Sequence, residues 1–153
     1  MCYLCFMNKI VTIDYLLRMT WNTVAKMYNE EAAQFDSTMV VGFTLLSIDP
    51  KEGSLSMTLG PKMGIEPTSL SRTLTKLEEM GLIKREVSKS DKRNVIIKLT
   101  KKGLEMRDVS KTYVLDFQQK VNEALTEKEM KQLVKSLDKI QKLAQEHTVA
   151  INS

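Results

Sequence analysis

Residues 64–86 read GIEPTSLSRTLTKLEEMGLIKRE, and this stretch decides the fold. Proline favours the first position of a helix and glycine the position just past its end, so a helix is predicted from Pro67 to about Met80, with Gly81 after it. Three leucines recur at helical spacing and predict one inward-facing stripe: Leu70, Leu74 and Leu77. The opposite face carries hydroxyl and basic side chains, and its carboxylates come only in the last turn. An ordinary solvent-facing helix mixes Glu and Lys along its whole length.

After this helix the sequence changes to an extended pattern that predicts a β-hairpin. The arms LIKREV and NVIIKLT enclose the polar segment SKSDKR, and the second arm alternates at strand periodicity. Residues 84–102 contain eight basic and two acidic residues, a net charge of +6, whereas the whole chain carries +4. Positive charge is therefore concentrated on the hairpin. Because each phosphate neutralised by Lys or Arg releases counterions, this concentration favours a nucleic-acid partner.

The sequence before residue 64 predicts two helices and a third segment that is a short helix or a turn. Apolar residues recur at helical spacing across residues 10–35, which indicates a long amphipathic helix. The stretch TMVVGFTLLSI is apolar nearly all round and predicts a buried helix, with Asp36 and Ser37 as its N-cap candidates. The stretch KEGSLSM predicts a turn and a short extended piece, and Ser56 near its end is available to cap the third segment. Within it, Pro61 should lie in the first turn or distort the segment.

Two more long helices are predicted after the hairpin. Thr100 caps a helix that reaches about Leu125, and Thr126 with Glu129 forms a capping box for the last helix. In that helix apolar residues three and four apart, across 130–144, resemble a coiled-coil seam. The long terminal helices cannot all bury their apolar faces in one small globule. Pairing with a second copy in a two-fold dimer would bury them.

Composition and rare residues limit the remaining classes. Apolar residues make up 42% and charged residues 27%, as in ordinary soluble proteins. No apolar run reaches the roughly 18 residues of a transmembrane helix. A cytoplasmic protein is therefore predicted. Cys2 and Cys5 form one CxxC pair that we interpret as incidental, with a redox sensor as the alternative. Met7 is an alternative start. His147 is the single histidine, so neither an enzyme nor a metal or cofactor site is predicted.

The run SLSRTLTKLEEMGLIKREVSKSDKRNVIIKLTKKG resembles the MarR family of winged helix-turn-helix regulators. The recognition-helix pattern of that family is in register with Ser69, Leu70, Ser71, Arg72, Leu74, Leu77, Gly81, Leu82, Ile83 and Arg85. Its wing signature, D-x-R-x5-L-T-x-x-G, is met by Asp91, Arg93, Leu99, Thr100 and Gly103. The order of the long helices also agrees. The sequence departs from the family in three places: at Gly60-Pro61, at Glu66, where a capping Ser or Thr is common, and in the tail before about Asn8, which has no counterpart.

The resemblance implies a mainly α fold with a small β-hairpin wing, a winged helix-turn-helix that is dimeric through its N- and C-terminal helices. Residues 1–153 would form one MarR-type domain, with a DNA-binding lobe at about 36–103 and a dimerisation lobe at about 8–35 and 104–148. The implied function is that of a ligand- or stress-responsive repressor, acting as a homodimer on a pseudo-palindromic operator. A helical protein-interaction or structural module is the alternative, but it leaves the +6 hairpin unexplained.

The implied site residues fall into three groups. Those expected to contact double-stranded DNA are Ser56, Thr68, Ser69, Ser71, Arg72, Lys76, Arg85, Lys89, Lys92 and Arg93. Asp91 is expected to orient a neighbouring arginine, with a hairpin-closing ion pair to Arg93 as the alternative. Trp21, Tyr28 and Phe43 are candidates for the lining of a small-molecule effector pocket, and packing in the core is their alternative role.

Overall fold

A computed structural model describes residues 11–88 and 91–152. Within these ranges the elements are α1 (Ile13–Ala33), α2 (Met39–Ser47), β1 (Ser54–Leu55), α3 (Ser56–Met63), α4 (Pro67–Glu79), β2 (Ile83–Val87), β3 (Val95–Leu99), α5 (Lys101–Ala124) and α6 (Glu127–Asn152). This mostly helical architecture with a small antiparallel sheet confirms the predicted fold class. The interpretations of Cys2, Cys5 and Met7 concern positions outside the described residues.

The chain divides into two compact units, one ending at Tyr113 and the other beginning at Val114. The first contains α1 to α4, the sheet and the first half of α5, and the second contains the rest of α5 and α6. The predicted assignment of residues 36–103 to DNA binding is a functional division and stays a prediction. Among the described residues, no helix is both long and apolar enough to cross a membrane.

The core of the first unit lies between α2, α3, α4 and the sheet. Its buried apolar side chains are Val41, Leu45, Ile48, Leu59, Leu70, Leu74, Leu77, Leu82, Ile83 and Ile97. The leucine stripe predicted for α4 is thus confirmed, and so is the buried position of α2. Gly42 allows α2 to approach α5 closely, because an added Cβ would lie 2.9 Å from the Ser110 hydroxyl oxygen.

The sheet has the strand order β1-β3-β2, with both pairs antiparallel. The predicted hairpin is confirmed in β2 and β3, which pair from Ile83 opposite Leu99 to Val87 opposite Val95. The third strand, β1, lies in the stretch KEGSLSM, where a short extended piece is predicted, but its pairing with β3 was not predicted. It contains only two residues, paired with Ile97 and Ile96, and two residues are too few to show an alternating pattern.

Two predicted caps are wrong. Thr38, not Asp36 or Ser37, caps α2, and its hydroxyl accepts a hydrogen bond from the Val41 N–H at 3.4 Å. Asp36 adopts a positive φ of 50°, and the Ser37 N–H donates to the Ala32 carbonyl, so both residues close α1 instead of opening α2. Ser56 is the first residue of α3 rather than its cap.

The short helix α3 ends soon after its proline. Pro61 lies in the last turn rather than the first, and the helix stops at Met63. Because proline has no N–H to donate, the helix loses one internal hydrogen bond there. Gly64 follows in the left-handed region, with φ of 65°, and its N–H donates to the Pro61 carbonyl.

The predicted caps of the last two helices are confirmed. The Thr100 hydroxyl accepts from the Gly103 N–H at 3.0 Å at the start of α5. At the start of α6 the Glu129 carboxylate accepts from the Thr126 N–H at 2.9 Å, while the Thr126 hydroxyl accepts from the Glu129 N–H at 3.3 Å. This reciprocal pair is the capping box that the T-x-x-E spacing predicts.

We expect Ile97→Ala to lower the free energy of unfolding by about 2–5 kcal/mol, because Ile97 is fully buried between the sheet and the helices. Ile96→Ala removes the same atoms from the next residue of β3, where the side chain is half-buried on the other side of the sheet, and should cost less. Urea unfolding of both variants measures the difference. Equal losses would contradict the described core.

Candidate nucleic-acid interface

One side of α4 is buried and the other is open to solvent. The buried leucine stripe leaves a polar surface whose members are all exposed: Thr68, Ser69, Ser71, Arg72, Thr75 and Lys76. Glu66 makes no side-chain capping bond, and the first turn of α4 contains no acidic residue. Unsatisfied N–H groups and the positive end of the helix dipole therefore favour an anion at this end.

The two cations on this surface of α4 are not neutralised within the described part of the chain. Neither Arg72 nor Lys76 forms an ion pair with any residue described there, although eight other pairs are present. The neighbouring Thr73 is half-buried, and its hydroxyl donates back to the Ser69 carbonyl at 2.9 Å. The outward surface therefore offers free guanidinium and ammonium groups flanked by hydroxyls.

Arg85 joins the sheet to α4. From β2 its guanidinium group donates to the Thr75 hydroxyl at 3.2 Å and lies 3.4 Å from the Glu78 carboxylate. These contacts hold Arg85 along the second half of α4, and its contact with DNA stays a prediction. The sequence analysis missed Thr75 and Glu78 as its partners, because no helical or strand spacing relates residues on opposite sides of a tight turn.

Glu86 lies between two lysines on the exposed side of the hairpin. Lys84 Nζ lies 2.7 Å and Lys98 Nζ 2.9 Å from its carboxylate oxygens. The hydrogen bonds from Lys84 and then Lys98 lower the pKa of Glu86 to about 2. Because the three side chains are 36–58% exposed, these pairs add little to stability. These ion pairs mean that two cations of the hairpin, Lys84 and Lys98, are already neutralised by Glu86.

Residues 91–94, between β2 and β3, are joined by hydrogen bonds to Asp91. Its carboxylate accepts from the Arg93 N–H at 3.0 Å and from the Asn94 side-chain amide at 3.3 Å. Asp91 thus contacts Arg93 through the backbone, and no ion pair joins these two described residues, so the hairpin-closing ion pair is wrong. The Ser88 N–H donates to the Asn94 carbonyl at 2.9 Å and extends the pairing. Lys92 and Arg93 are exposed on this turn. Lys89, also predicted to bind DNA, lies outside the described residues.

The positive charge of the hairpin divides into held and free cations. Lys84, Arg85 and Lys98 are paired with carboxylates, and Lys102 donates to a backbone carbonyl. Among the described residues of this segment, Lys92, Arg93 and Lys101 form no ion pair. Free charge is therefore found at the hairpin turn and at the start of α5, a distinction that counting charges along the sequence does not reveal.

An open groove of about 410 Å³ lies beside α4. Ser71 and Arg85 line it together with Ser56, which is half-buried at the start of α3. The remaining lining is mostly apolar: Met57, Gly60, Pro61, Pro67, Leu70, Leu74 and Val95. Ser56 therefore lies next to the polar surface of α4, as expected of a DNA-contacting residue, although that role stays a prediction.

The structure brings two of the three predicted effector-pocket residues together. The rings of Tyr28 on α1 and Phe43 on α2 pack edge to face with centroids 5.4 Å apart. Trp21 lies two turns before Tyr28, about 10 Å along α1, and is 51% exposed. An effector role for these residues stays a prediction. Within the described residues, no group of three or more His, Cys, Asp or Glu side chains is arranged to hold a metal ion.

Comparison with known proteins agrees with this arrangement. The sequence profile of the MarR family matches residues 43–95, from the middle of α2 to the first residue of β3. The HTH-type transcriptional regulator SarZ of Staphylococcus saprophyticus is 30% identical over 119 residues, covering 75% of this chain and 82% of that protein. The chain belongs to the MarR family. Both the family resemblance and the winged-helix transcriptional regulator that it implied are therefore confirmed.

Solved structures of MarR-family proteins share the fold over most of their length. A DNA complex of S. aureus MepR has a TM-score of 0.79 and 26% identity, over 86% of this chain and 98% of that one. The reduced form of MarR from E. coli has a TM-score of 0.70 and 27% identity, over 87% and 98%. The similarity thus extends beyond the matched profile to the long terminal helices.

Lys84→Met should raise the pKa of Glu86 from about 2 toward its ordinary value of 4.5, because Lys84 supplies the strongest stabilisation of the carboxylate. Since folding lowers this pKa, the stabilisation is present above about pH 4.5 and is lost as the pH falls through about 2. An NMR titration of the Glu86 carboxyl carbon measures the shift. Lys92→Met makes the same charge change at the hairpin turn. An equal shift in both variants would show that general field effects, not the Lys84 contact, are responsible.

Proposed function

We propose that this chain binds double-stranded DNA sequence-specifically as a homodimer and represses transcription from a pseudo-palindromic operator in the cytoplasm. The observation that carries the proposal is the exposed surface of α4, where Arg72 and Lys76 form no ion pair with any described residue and the first turn lacks acids. The hairpin of β2, β3 and the residues joining them, here called the wing, adds Lys92 and Arg93, which form no ion pair within the described ranges of the chain. The alternative, a helical protein-interaction module, does not explain why these cations lie on α4 and on the wing.

In this proposal α4 enters the major groove, which is wide enough for one α-helix. Its first turn faces a phosphate through free N–H groups, and Thr68 and Ser69 add hydroxyl donors at the same end. Arg72 lies one turn further on and can form two parallel hydrogen bonds to the edge of a guanine. Lys76, another turn along, approaches the opposite backbone as a simple point charge.

The wing contacts the neighbouring minor groove. The 3.0 Å hydrogen bond from the Arg93 N–H to the Asp91 carboxylate fixes the backbone at Arg93, so residues 91–93 have this conformation without DNA. An arginine inserted into a narrow minor groove is attracted by its enhanced negative potential. Lys92 beside it adds a phosphate contact.

A small effector that changes the spacing of the two wings would regulate binding, and Tyr28 with Phe43 stays our candidate for its pocket.

Dimerisation through the terminal helices is supported by the apolar side chains that they expose. On α6 these are Leu133, Val134, Leu137, Leu143 and Val149, and on α1 Ile13, Tyr15, Leu16, Leu17, Met19 and Trp21. So many exposed apolar side chains on each of these two helices favour burial against a partner. A two-fold dimer would present two α4 helices to half-sites about one helical turn, or roughly 34–36 Å, apart.

The first test compares Arg72→Ala with Lys92→Ala on DNA that the wild-type protein selects from a randomised library. Arg72→Ala should cost about 1–3 kcal/mol of binding free energy and relax sequence preference at one base pair in each half-site. Lys92→Ala should weaken binding to all sequences about equally and reduce its salt dependence. Fluorescence anisotropy against single-substitution duplexes measures both effects. If both variants weaken every duplex equally, Arg72 does not read bases.

The second test concerns the dimer. We expect wild-type protein to have twice the chain mass of 17.5 kDa by light scattering. Leu137→Glu should yield monomers and weaken DNA binding, because an unpaired carboxylate is costly to bury. Lys139→Gln changes the net charge by the same amount on the same helix and should remain dimeric. A dimeric Leu137→Glu variant would rule out the α6 surface as the interface.

A further inference from the structure

The C-terminal end of α4 leaves three consecutive carbonyl groups beyond the helix. Gly81, with φ of 70°, places its N–H on the Glu78 carbonyl at 2.9 Å, and the Leu82 N–H reaches the Leu77 carbonyl at 2.9 Å. These two bonds form a Schellman motif, which satisfies the carbonyls of Leu77 and Glu78. The carbonyls of Met80, Gly81 and Leu82, which follow the helix, need donors from elsewhere.

The first turn of α5 supplies all three donors. Lys102 Nζ donates to the Met80 carbonyl at 2.9 Å, and the Thr100 hydroxyl donates to the Gly81 carbonyl at 2.7 Å. The Thr100 N–H donates to the Leu82 carbonyl at 3.0 Å. A lysine at the C-terminal end of a helix also interacts favourably with the negative end of the helix dipole.

Gly103 brings the two backbones into direct contact. A Cβ atom at this position would lie 1.9 Å from the Leu82 carbonyl oxygen, so any other residue would push the two segments apart. Gly103 is buried, and its N–H donates to the Thr100 hydroxyl. Thr100 therefore accepts a bond from α5 while donating to the end of α4.

We infer that the turn of residues 100–103 clamps the end of α4 and sets its position for reading DNA, and that Lys102 is a positioning residue in this clamp. Its charge is directed at the Met80 carbonyl rather than at a phosphate. This inference rests on the proposed DNA binding. A bidentate base contact from Arg72 requires α4 at one position and angle, whereas contacts to the phosphate backbone carry no sequence information and tolerate small shifts. Loss of the clamp should therefore reduce specific binding more than non-specific binding.

Lys101 provides a matched control for Lys102. Both lysines are exposed, they are adjacent, and replacing either with Met removes one positive charge. Lys102→Met should weaken binding to a duplex selected by the wild-type protein about fivefold more than Lys101→Met does, the effect of one lost hydrogen bond. Both variants should weaken binding to poly(dI-dC) equally. Lys102→Arg keeps a charged donor and should restore most of the specific affinity.

The outcome that overturns the inference is an equal loss of affinity for the selected duplex in Lys101→Met and Lys102→Met. The inference is also overturned if Lys102→Met loses the same amount of affinity for the selected duplex and for poly(dI-dC), since that would assign Lys102 to phosphate contact.

Amide hydrogen exchange without DNA separates this result from a failure of the proposed function. Lys102→Met should speed exchange at Gly81 and Leu82, and Lys101→Met should not. Unchanged exchange overturns the clamp even if the wild-type protein binds DNA. If the wild-type protein binds neither DNA, the proposed function is overturned, and so is the role of the clamp in DNA reading. The hydrogen-exchange result then decides only whether Lys102 holds the end of α4.

Discussion

The burial of three leucines on α4 is the constraint on which the rest of the structure depends. Leu70, Leu74 and Leu77 are almost completely removed from solvent. At about 1.5–3 kcal/mol for each buried leucine, they contribute about 5–9 kcal/mol, which is comparable to the whole stability of a small domain. Rotating α4 about its axis would expose them. The face opposite the stripe is therefore fixed outward, and with it Arg72 and Lys76.

The distribution of paired and unpaired charges then separates structural cations from those available to a ligand. Arg85, Lys84 and Lys98 are held by carboxylates on α4 and β2, whereas Lys92 and Arg93 stand on a turn that Asp91 shapes through the backbone. Because paired cations must first lose their partners, they gain less from a phosphate than free ones. The positive charge available to a phosphate is thus smaller than the sequence count suggests, and part of it lies on the turn at Lys92 and Arg93.

Local chemistry explains what the sequence predicts well in this protein. Helix α4, the caps at Thr100 and Thr126, and the β2–β3 hairpin all follow from residues within a few positions of one another. The errors arise where several local solutions compete. Asp36, Ser37 and Thr38 are all good N-cap residues, and the choice of Thr38 depends on how α1 ends.

The features that the sequence does not predict are tertiary. A short extended piece is predicted at residues 51–57, but its pairing with β3 as strand β1 is not. The contact of Arg85 with Glu78 depends on how closely the sheet approaches α4, and the bond from Lys102 to Met80 depends on the Gly103 contact. The L-T-x-x-G spacing contains the residues of that clamp. Its role becomes visible only when the carbonyls of residues 80–82 are traced to their donors.

The most direct test of the central claim is a map of backbone amide shifts, by NMR, on adding a duplex selected by the wild-type protein. We predict that the largest changes cluster in the first two turns of α4, residues 67–76, and in the wing turn, residues 91–94. Changes centred on α6, with α4 and the wing turn unaffected, would contradict DNA reading by this surface.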